Sequence, residues 1–230
     1  MKVRVIYIFL VTVFFSTGLC QAQAPFRDFQ VWQNFEVEYV INKRWLGHMQ
    51  EQARLNENST QFYYYYLDFG LMYKLTKNIR INVDYVFIQK KKQEDLYSNR
   101  HQYNFHLNVR KKYGRITLLD RMLTEGQYAD LLTSTYGKEL TDIYLRNKLS
   151  VRYKFNSRLS PYISDEVYFK FDGDPNYRGC NRNRTSVGFV YKLTDNWLFE
   201  TSYMFEHNFN TKAPSQNFVL GVGITRSFFQ

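Results

Sequence analysis

In Asn147-Lys148-Leu149-Ser150-Val151-Arg152-Tyr153-Lys154-Phe155, polar and apolar residues alternate from Lys148 to the end. Extended upstream, the same parity puts Ile143, Leu145, Leu149, Val151, Tyr153 and Phe155 on one face. Tyr144, Arg146, Lys148, Ser150, Arg152 and Lys154 share the other. A period of two is the signature of a strand with one apolar face; on a helix the same charges would be scattered around the whole surface.

The pattern recurs along the chain. It is clear at Ile79–Gln89, His101–Lys111, Thr185–Leu193, Trp197–His207 and Asn217–Phe229, and weaker at Val31–Asn42, Trp45–Leu55, Phe62–Leu75, Arg115–Thr124 and Leu159–Phe171. With the opening stretch these make eleven candidate strands and no helix. Short polar links at Asn42–Arg44, Thr76–Asn78, Tyr113–Gly114, Asn156–Arg158 and Thr194–Asn196 alternate with longer ones near Asn56–Thr60, Lys90–Asn99, Glu125–Glu139, Asp172–Asn183 and Asn208–Gln216. Short turns on one side and long loops on the other are the habit of membrane barrels. The expected fold is therefore all-β, an antiparallel up-and-down transmembrane barrel of about 10–12 strands. Antiparallel closure favours an even number, ten or twelve. The twelfth strand would come from Pro25–Gln33 or from the Glu125–Glu139 connection.

The N-terminus supplies an address. Lys2 and Arg4 precede an apolar run from Val5 to Phe15, followed by small and polar residues up to Pro25. This is the layout of a secretory signal peptide, and the apolar run is too short to span a bilayer. Cleavage after Ala22 fits best, dividing the chain into a signal peptide (1–22) and a barrel (23–230). A lipid anchor on Cys20 fits less well, because Leu19 stands where a small residue is wanted. Only Cys180 would remain, which excludes an internal disulfide; it reads as an inert thiol in a polar loop.

Composition agrees with a barrel. The chain carries 20 Tyr, 20 Phe and 3 Trp, yet its mean hydropathy is −0.49. No helical membrane protein combines those numbers, whereas a barrel exposes only alternate residues to lipid. The net charge of +10 points, in an exported chain, to anionic lipid and lipopolysaccharide rather than to nucleic acid. The expected location is the bacterial outer membrane, reached through an insertion machinery that reads an aromatic C-terminal strand. The chain ends Phe228-Phe229-Gln230, so Phe228 or Phe229 would serve.

The recurring Tyr-Lys-Leu-Thr turns, at Tyr73 and Tyr191 with a looser copy at Tyr153, suggest one aromatic girdle: Trp45, Tyr73, Tyr113, Tyr153, Tyr191 and Trp197. The apolar faces carry few charges, the exceptions including Glu51, Asp165 and Arg226. The opposite faces would crowd a narrow lumen with Glu36, Glu38, Arg54, Asp68, Arg80, Asp84, Arg110, Arg146, Lys148, Arg152, Glu166, Lys170, Glu200 and Glu206. Long side chains of both signs are expected to pair across that space, either filling it or leaving a small charged conduit. In the run Tyr63–Tyr66, Tyr63 and Tyr65 would face lipid, and Tyr64 and Tyr66 the lumen.

Several short motifs together resemble an uncharacterised barrel family of Bacteroides- and Flavobacterium-type bacteria, domain of unknown function 2490. They are Tyr39–Trp45, Tyr144–Leu149, Ser160-Pro161-Tyr162-Ile163-Ser164-Asp165-Glu166, and the strands Trp197–Phe205 and Asn217–Phe229. The resemblance implies a barrel in the outer membrane and no established activity.

A structural or porin-like, narrow-channel role is therefore the leading expectation. A lipid hydrolase would need Ser, His and an acid together at the rim. The chain has His48, His101, His106 and His207, with Ser202 and Glu206 near the last and His106 on the same face as Glu166. None forms a recognised motif, no metal-ligand spacing stands out and no cofactor is indicated. A secreted carbohydrate-binding sandwich is the remaining alternative.

Overall fold

A computed structural model of the chain describes residues 25–93, 96–129 and 140–229. Eleven strands follow one another: β1 (Phe26–Val40), β2 (Trp45–Asn56), β3 (Gln61–Lys74), β4 (Ile79–Gln93), β5 (Leu96–Tyr113), β6 (Ile116–Ala129), β7 (Leu140–Tyr153), β8 (Leu159–Lys170), β9 (Gly179–Lys192), β10 (Trp197–Asn208) and β11 (Ser215–Phe228). Each pairs antiparallel with its neighbours in sequence, and the sheet closes on itself. A sandwich is thereby ruled out.

The expectation of an even strand number does not hold. Pro25–Gln33 adds no twelfth strand; from Phe26 on it belongs to β1. The alternative site for a further strand lies in 130–139, outside the described residues. With eleven strands in up-and-down order, the first and last run in the same direction. β1 therefore pairs with β11 in parallel, from Phe26↔Ser215 to Tyr39↔Phe228. Parallel bonds are slightly weaker per residue, but this seam is as long as its antiparallel counterparts and leaves no open edge.

At one rim the hairpins turn tightly on a shared device. Asn42 Oδ1 accepts hydrogen bonds from the backbone N–H of Arg44 and Trp45. Thr76, Asn156 and Thr194 do the same for the residues two and three positions on. A side-chain oxygen that mimics the missing strand partner reverses the chain cheaply. The exception is the turn at Gly114, whose φ of +57° suits a residue without a Cβ. At the other rim the expected length contrast is only partly realised. The Asn56–Thr60 link is a tight turn, and β4 and β5 run on to Gln93 and Leu96, through the stretch read as a loop. Polar residues do not end a strand whose backbone keeps its partner, as Lys90↔Ser98 and Lys91↔Tyr97 show. Cys180 likewise lies within β9, not in a loop.

The alternation sorts side chains as expected. Val83, Phe105, Ile163 and Val187 are half or more exposed, Phe69 nearly so, and all five point outward. Their strand neighbours Asp68, Asp84, Asn104, Ser164 and Ser186 are buried inside. An apolar exterior around a polar interior is stable only with hydrocarbon outside, since water would favour the reverse. All six girdle residues lie on the outward face at the tight-turn rim. Trp45 packs on Tyr73 with ring centroids 4.6 Å apart, Arg44 donates to the Tyr73 hydroxyl (3.1 Å), and the Arg226 guanidinium lies 4.7 Å from the Trp197 ring. Phe29, Phe62, Tyr97 and Phe171 are exposed near the opposite rim, where the Phe62 and Tyr97 rings lie 6.5 Å apart.

Asp165 does face outward, and the pairing of β8 with β7 and β9 is continuous through it. Thr185 Oγ1 (2.7 Å) and Asn183 Nδ2 (3.1 Å) donate to its carboxylate from β9. Glu51 accepts from the Tyr65 hydroxyl (3.3 Å). The tyrosine run needs one correction. A bulge at Arg54/Leu55 leaves Tyr63 without a partner on β2, and it turns inward to donate to Gln30 Oε1 (3.1 Å). Only Tyr65 keeps its lipid-facing place.

Candidate functional site in the barrel lumen

The fourteen charged residues expected inside all share the inward parity of their strands. The structure brings some of them together and leaves others near the rims. The hub is Glu166 on β8. Its Oε1 accepts from Arg121 Nη2 (2.8 Å) and from Arg146 Nη2 (2.9 Å) and Nε (3.2 Å). Its Oε2 accepts from the Tyr168 hydroxyl (3.3 Å). Arg146 also donates to Glu125 Oε2 (2.9 Å). Arg184 reaches Glu166 Oε2 at 3.9 Å, donates to Glu206 Oε2 (2.6 Å) and bonds the Tyr168 hydroxyl. Five strands, β6 to β10, are tied through this one network.

Aromatic rings carry the cations where carboxylates run out. The guanidinium of Arg54 lies 3.8 Å from the Trp32 ring centroid and 4.4 Å from that of Tyr64. Arg146, Arg182 and Arg184 all gather within 5 Å of the Tyr168 ring. Such contacts are worth more when water is partly excluded.

The remaining expected residues make quieter contacts. Glu36 and Glu38 accept from Thr225 and Ser227 across the closing seam, and Glu200 accepts from Tyr162 (2.6 Å). Lys170 pairs with Asp142 near the long-loop rim. Arg80 sits against the Met72 sulfur and Arg152 over the Tyr162 ring. Lys148 lines the lumen without an ion pair among the described residues. Arg110, near the end of β5, is exposed and takes no part. Asp68 and Asp84 face two imidazoles rather than an arginine.

Sequence reading missed Arg121, Glu125, Tyr168, Arg182 and Arg184. Arg184 has the parity of Ser186 but precedes Thr185, where the alternation in β9 becomes clear. Tyr168 shares the parity of Glu166, but its ring alone gives no sign of holding three guanidiniums. On β6 the adjacent apolar Leu118 and Leu119 blur the alternation that places Arg121 and Glu125 inside.

The proposed hydrolase residues do not converge. Ser202 and Glu206 point into the lumen, while His207 points outward between Phe205 and Phe209. His106 lies against Asp84, not Glu166. His101 is outward too, its Nδ1 2.6 Å from the Tyr85 hydroxyl.

The network does not fill the barrel. A cavity of about 870 Å³ runs inside it, lined by residues of all eleven strands. Its walls extend from Asn56, Lys90, Arg100 and Asn208 near the long-loop rim to Glu38, Met72, Asn108 and Thr225 near the tight-turn rim.

Residues 29–217 match the model of a protein family described as of unknown function, DUF2490. The chain belongs to the DUF2490 family. This DUF2490 barrel is also similar to two solved structures. One is the NanC porin, at 12% identity and a TM-score of 0.49, over 77% of this chain and 86% of that one. The other is the translocator domain of the autotransporter NalP from Neisseria meningitidis, at 10% identity and a TM-score of 0.44, over 76% and 73%. No curated protein matches the chain.

Proposed function

We propose that this DUF2490 protein is exported through a cleaved signal peptide (residues 1–22), resides in the bacterial outer membrane in contact with its lipid and lipopolysaccharide, and provides a narrow, charge-lined conduit for small polar solutes. The carrying observation is the lumen cavity, whose lining reaches from one rim region to the other and is made by every strand. Its charges are not uniform. Toward the long-loop rim, Arg54, Lys90, Arg100 and Arg182 have no carboxylate within ion-pair distance among the described residues. Toward the tight-turn rim, Glu36, Glu38 and Glu200 prevail. Cations without a neutralising carboxylate in a low-dielectric mouth concentrate small anions there. The Glu166 hub across the middle limits the bore, which supports passage of small solutes and not of polymers.

The test is single-channel conductance of the refolded protein in a planar bilayer, after heat-modifiable gel mobility has established that the barrel is folded. A steady, ion-selective conductance is expected. A folded barrel with none would make the hub a plug and the protein a scaffold.

A further inference from the structure

Four side chains on the tight-turn side of the hub meet over a glycine. In register, His48 on β2 stands opposite Gly70 on β3, and Gly70 stands opposite Asp84 on β4. Asp68 lies two residues from Gly70 on the same face, and His106 on β5 pairs next to Asp84, opposite Asn82. A Cβ at position 70 would lie 2.1 Å from His48 Cε1 and 2.2 Å from Asp84 Oδ1. The missing side chain is what lets the imidazole and the carboxylate close over the strand between them. Glycine inside a strand often marks such a close approach.

The donors that converge there are poorly served by protein. Asp84 and Asp68 are 3% and 8% exposed, and the Oδ1 atom of each is buried with no hydrogen bond. His48 Nε2 is 3.7 Å from Asp84 Oδ1 and 3.9 Å from Asp68 Oδ1, too far to donate to either. These three ligand atoms lie within 4.8 Å of one another. Ligand atoms about 2.0–2.2 Å from a tetrahedral zinc ion stand roughly 3.4 Å apart. The two imidazole–carboxylate spacings exceed that by a few tenths of an ångström, and small side-chain rotations would bring the ligand atoms onto one ion. Buried like-charged oxygens with no donor are costly, and a cation between them removes both the repulsion and the unmet bonds.

We propose that His48, Asp68 and Asp84 form a binding site for a divalent transition-metal cation of the zinc class. His106 Nε2, 2.6 Å from Asp84 Oδ2, orients the Asp84 carboxylate from behind, as outer-sphere partners of metal ligands commonly do. A mixed imidazole and carboxylate set suits zinc and its first-row neighbours better than magnesium or calcium. All four side chains line the lumen cavity, so the cation enters from the lumen and keeps a coordination position open to it. The site ties β2, β3 and β4 together on the side of the barrel away from the Glu166 hub.

The experiment uses the mature barrel, refolded in detergent without a polyhistidine tag and titrated with Co²⁺ and then Zn²⁺. Visible absorption of Co²⁺ and calorimetry of Zn²⁺ provide the readouts. One Co²⁺ per chain, displaced by Zn²⁺, is expected. Asp84→Asn and Gly70→Ala should each weaken binding by roughly tenfold or more, the second without removing a single ligand. His207→Ala, on the outer face, should bind like the parent. Heat-modifiable mobility of each variant separates loss of the site from loss of the fold. A folded parent that takes up no stoichiometric metal, or a folded Gly70→Ala that binds as tightly as the parent, overturns the proposal. Neither result depends on whether the lumen conducts.

Discussion

Replacing Glu166 by alanine removes the one acceptor shared by Arg121, Arg146 and Tyr168. The consequences differ by residue. The Arg121 side chain is 33% exposed and recovers water in the lumen. The Arg146 side chain is 16% exposed and keeps only Glu125. Breaking a buried ion pair from one side costs about 3–5 kcal/mol, because a desolvated charge is left behind. Arg146 retains one partner and its contact with the Tyr168 ring, so the lower end, about 3 kcal/mol, is expected. Urea unfolding in lipid vesicles, followed by tryptophan fluorescence and gel mobility, measures it. Adding Arg146→Met to Glu166→Ala should cost less than the two single losses added together, since the pair between these two residues is then lost only once. A Glu166→Ala variant within about 1 kcal/mol of the parent would refute the hub as a load-carrying pair.

Three further outcomes follow from the same geometry. Val83→Arg, on the outward face of β4, should destabilise the barrel by about 2–4 kcal/mol in vesicles, while Tyr113→Arg in the girdle costs about 0–1 kcal/mol; equal effects would contradict a hydrocarbon band around the barrel. Neutralising Lys90 and Arg100 together should move the reversal potential of the channel toward cation preference in a salt gradient, and an unchanged potential would remove them from the solute path. Asp165→Asn should leave the folded fraction near that of the parent, because Thr185 and Asn183 still bond the amide oxygen; loss of folding would show that the carboxylate itself is needed there.

Much of this architecture is legible in single-residue parity. Ile79 to Phe87 announces both the strand and its lipid face, and the aromatic pairs near the tight turns announce the girdle. Closure is a different matter, because strand direction is set by counting and one uncertain segment changes the parity of the whole barrel. The bulge at Arg54/Leu55 is equally invisible, since an extra residue in a run of four tyrosines leaves no local mark, yet it reverses the side of Tyr63. The metal-ligand cluster shows why spacing fails as a guide in barrels. His48, Asp68, Asp84 and His106 are strangers in sequence, and only the register of four strands, with Gly70 between two of them, makes them neighbours. In a helix the same chemistry would recur at three- or four-residue spacing and be read at once.

The lumen exists only because the sheet closes on itself, and that closure is open to a direct chemical test. Asn34 on β1 stands opposite Gly223 on β11 in the parallel seam, and a Cβ on residue 223 would lie 3.6 Å from the Asn34 Cβ. That distance is within the range a disulfide spans. In residues 23–230 carrying Cys180→Ser, the pair Asn34→Cys and Gly223→Cys should oxidise to an intramolecular disulfide in the folded, heat-modifiable barrel. A folded barrel whose thiols at these positions stay free under oxidant would contradict the eleven-stranded closure.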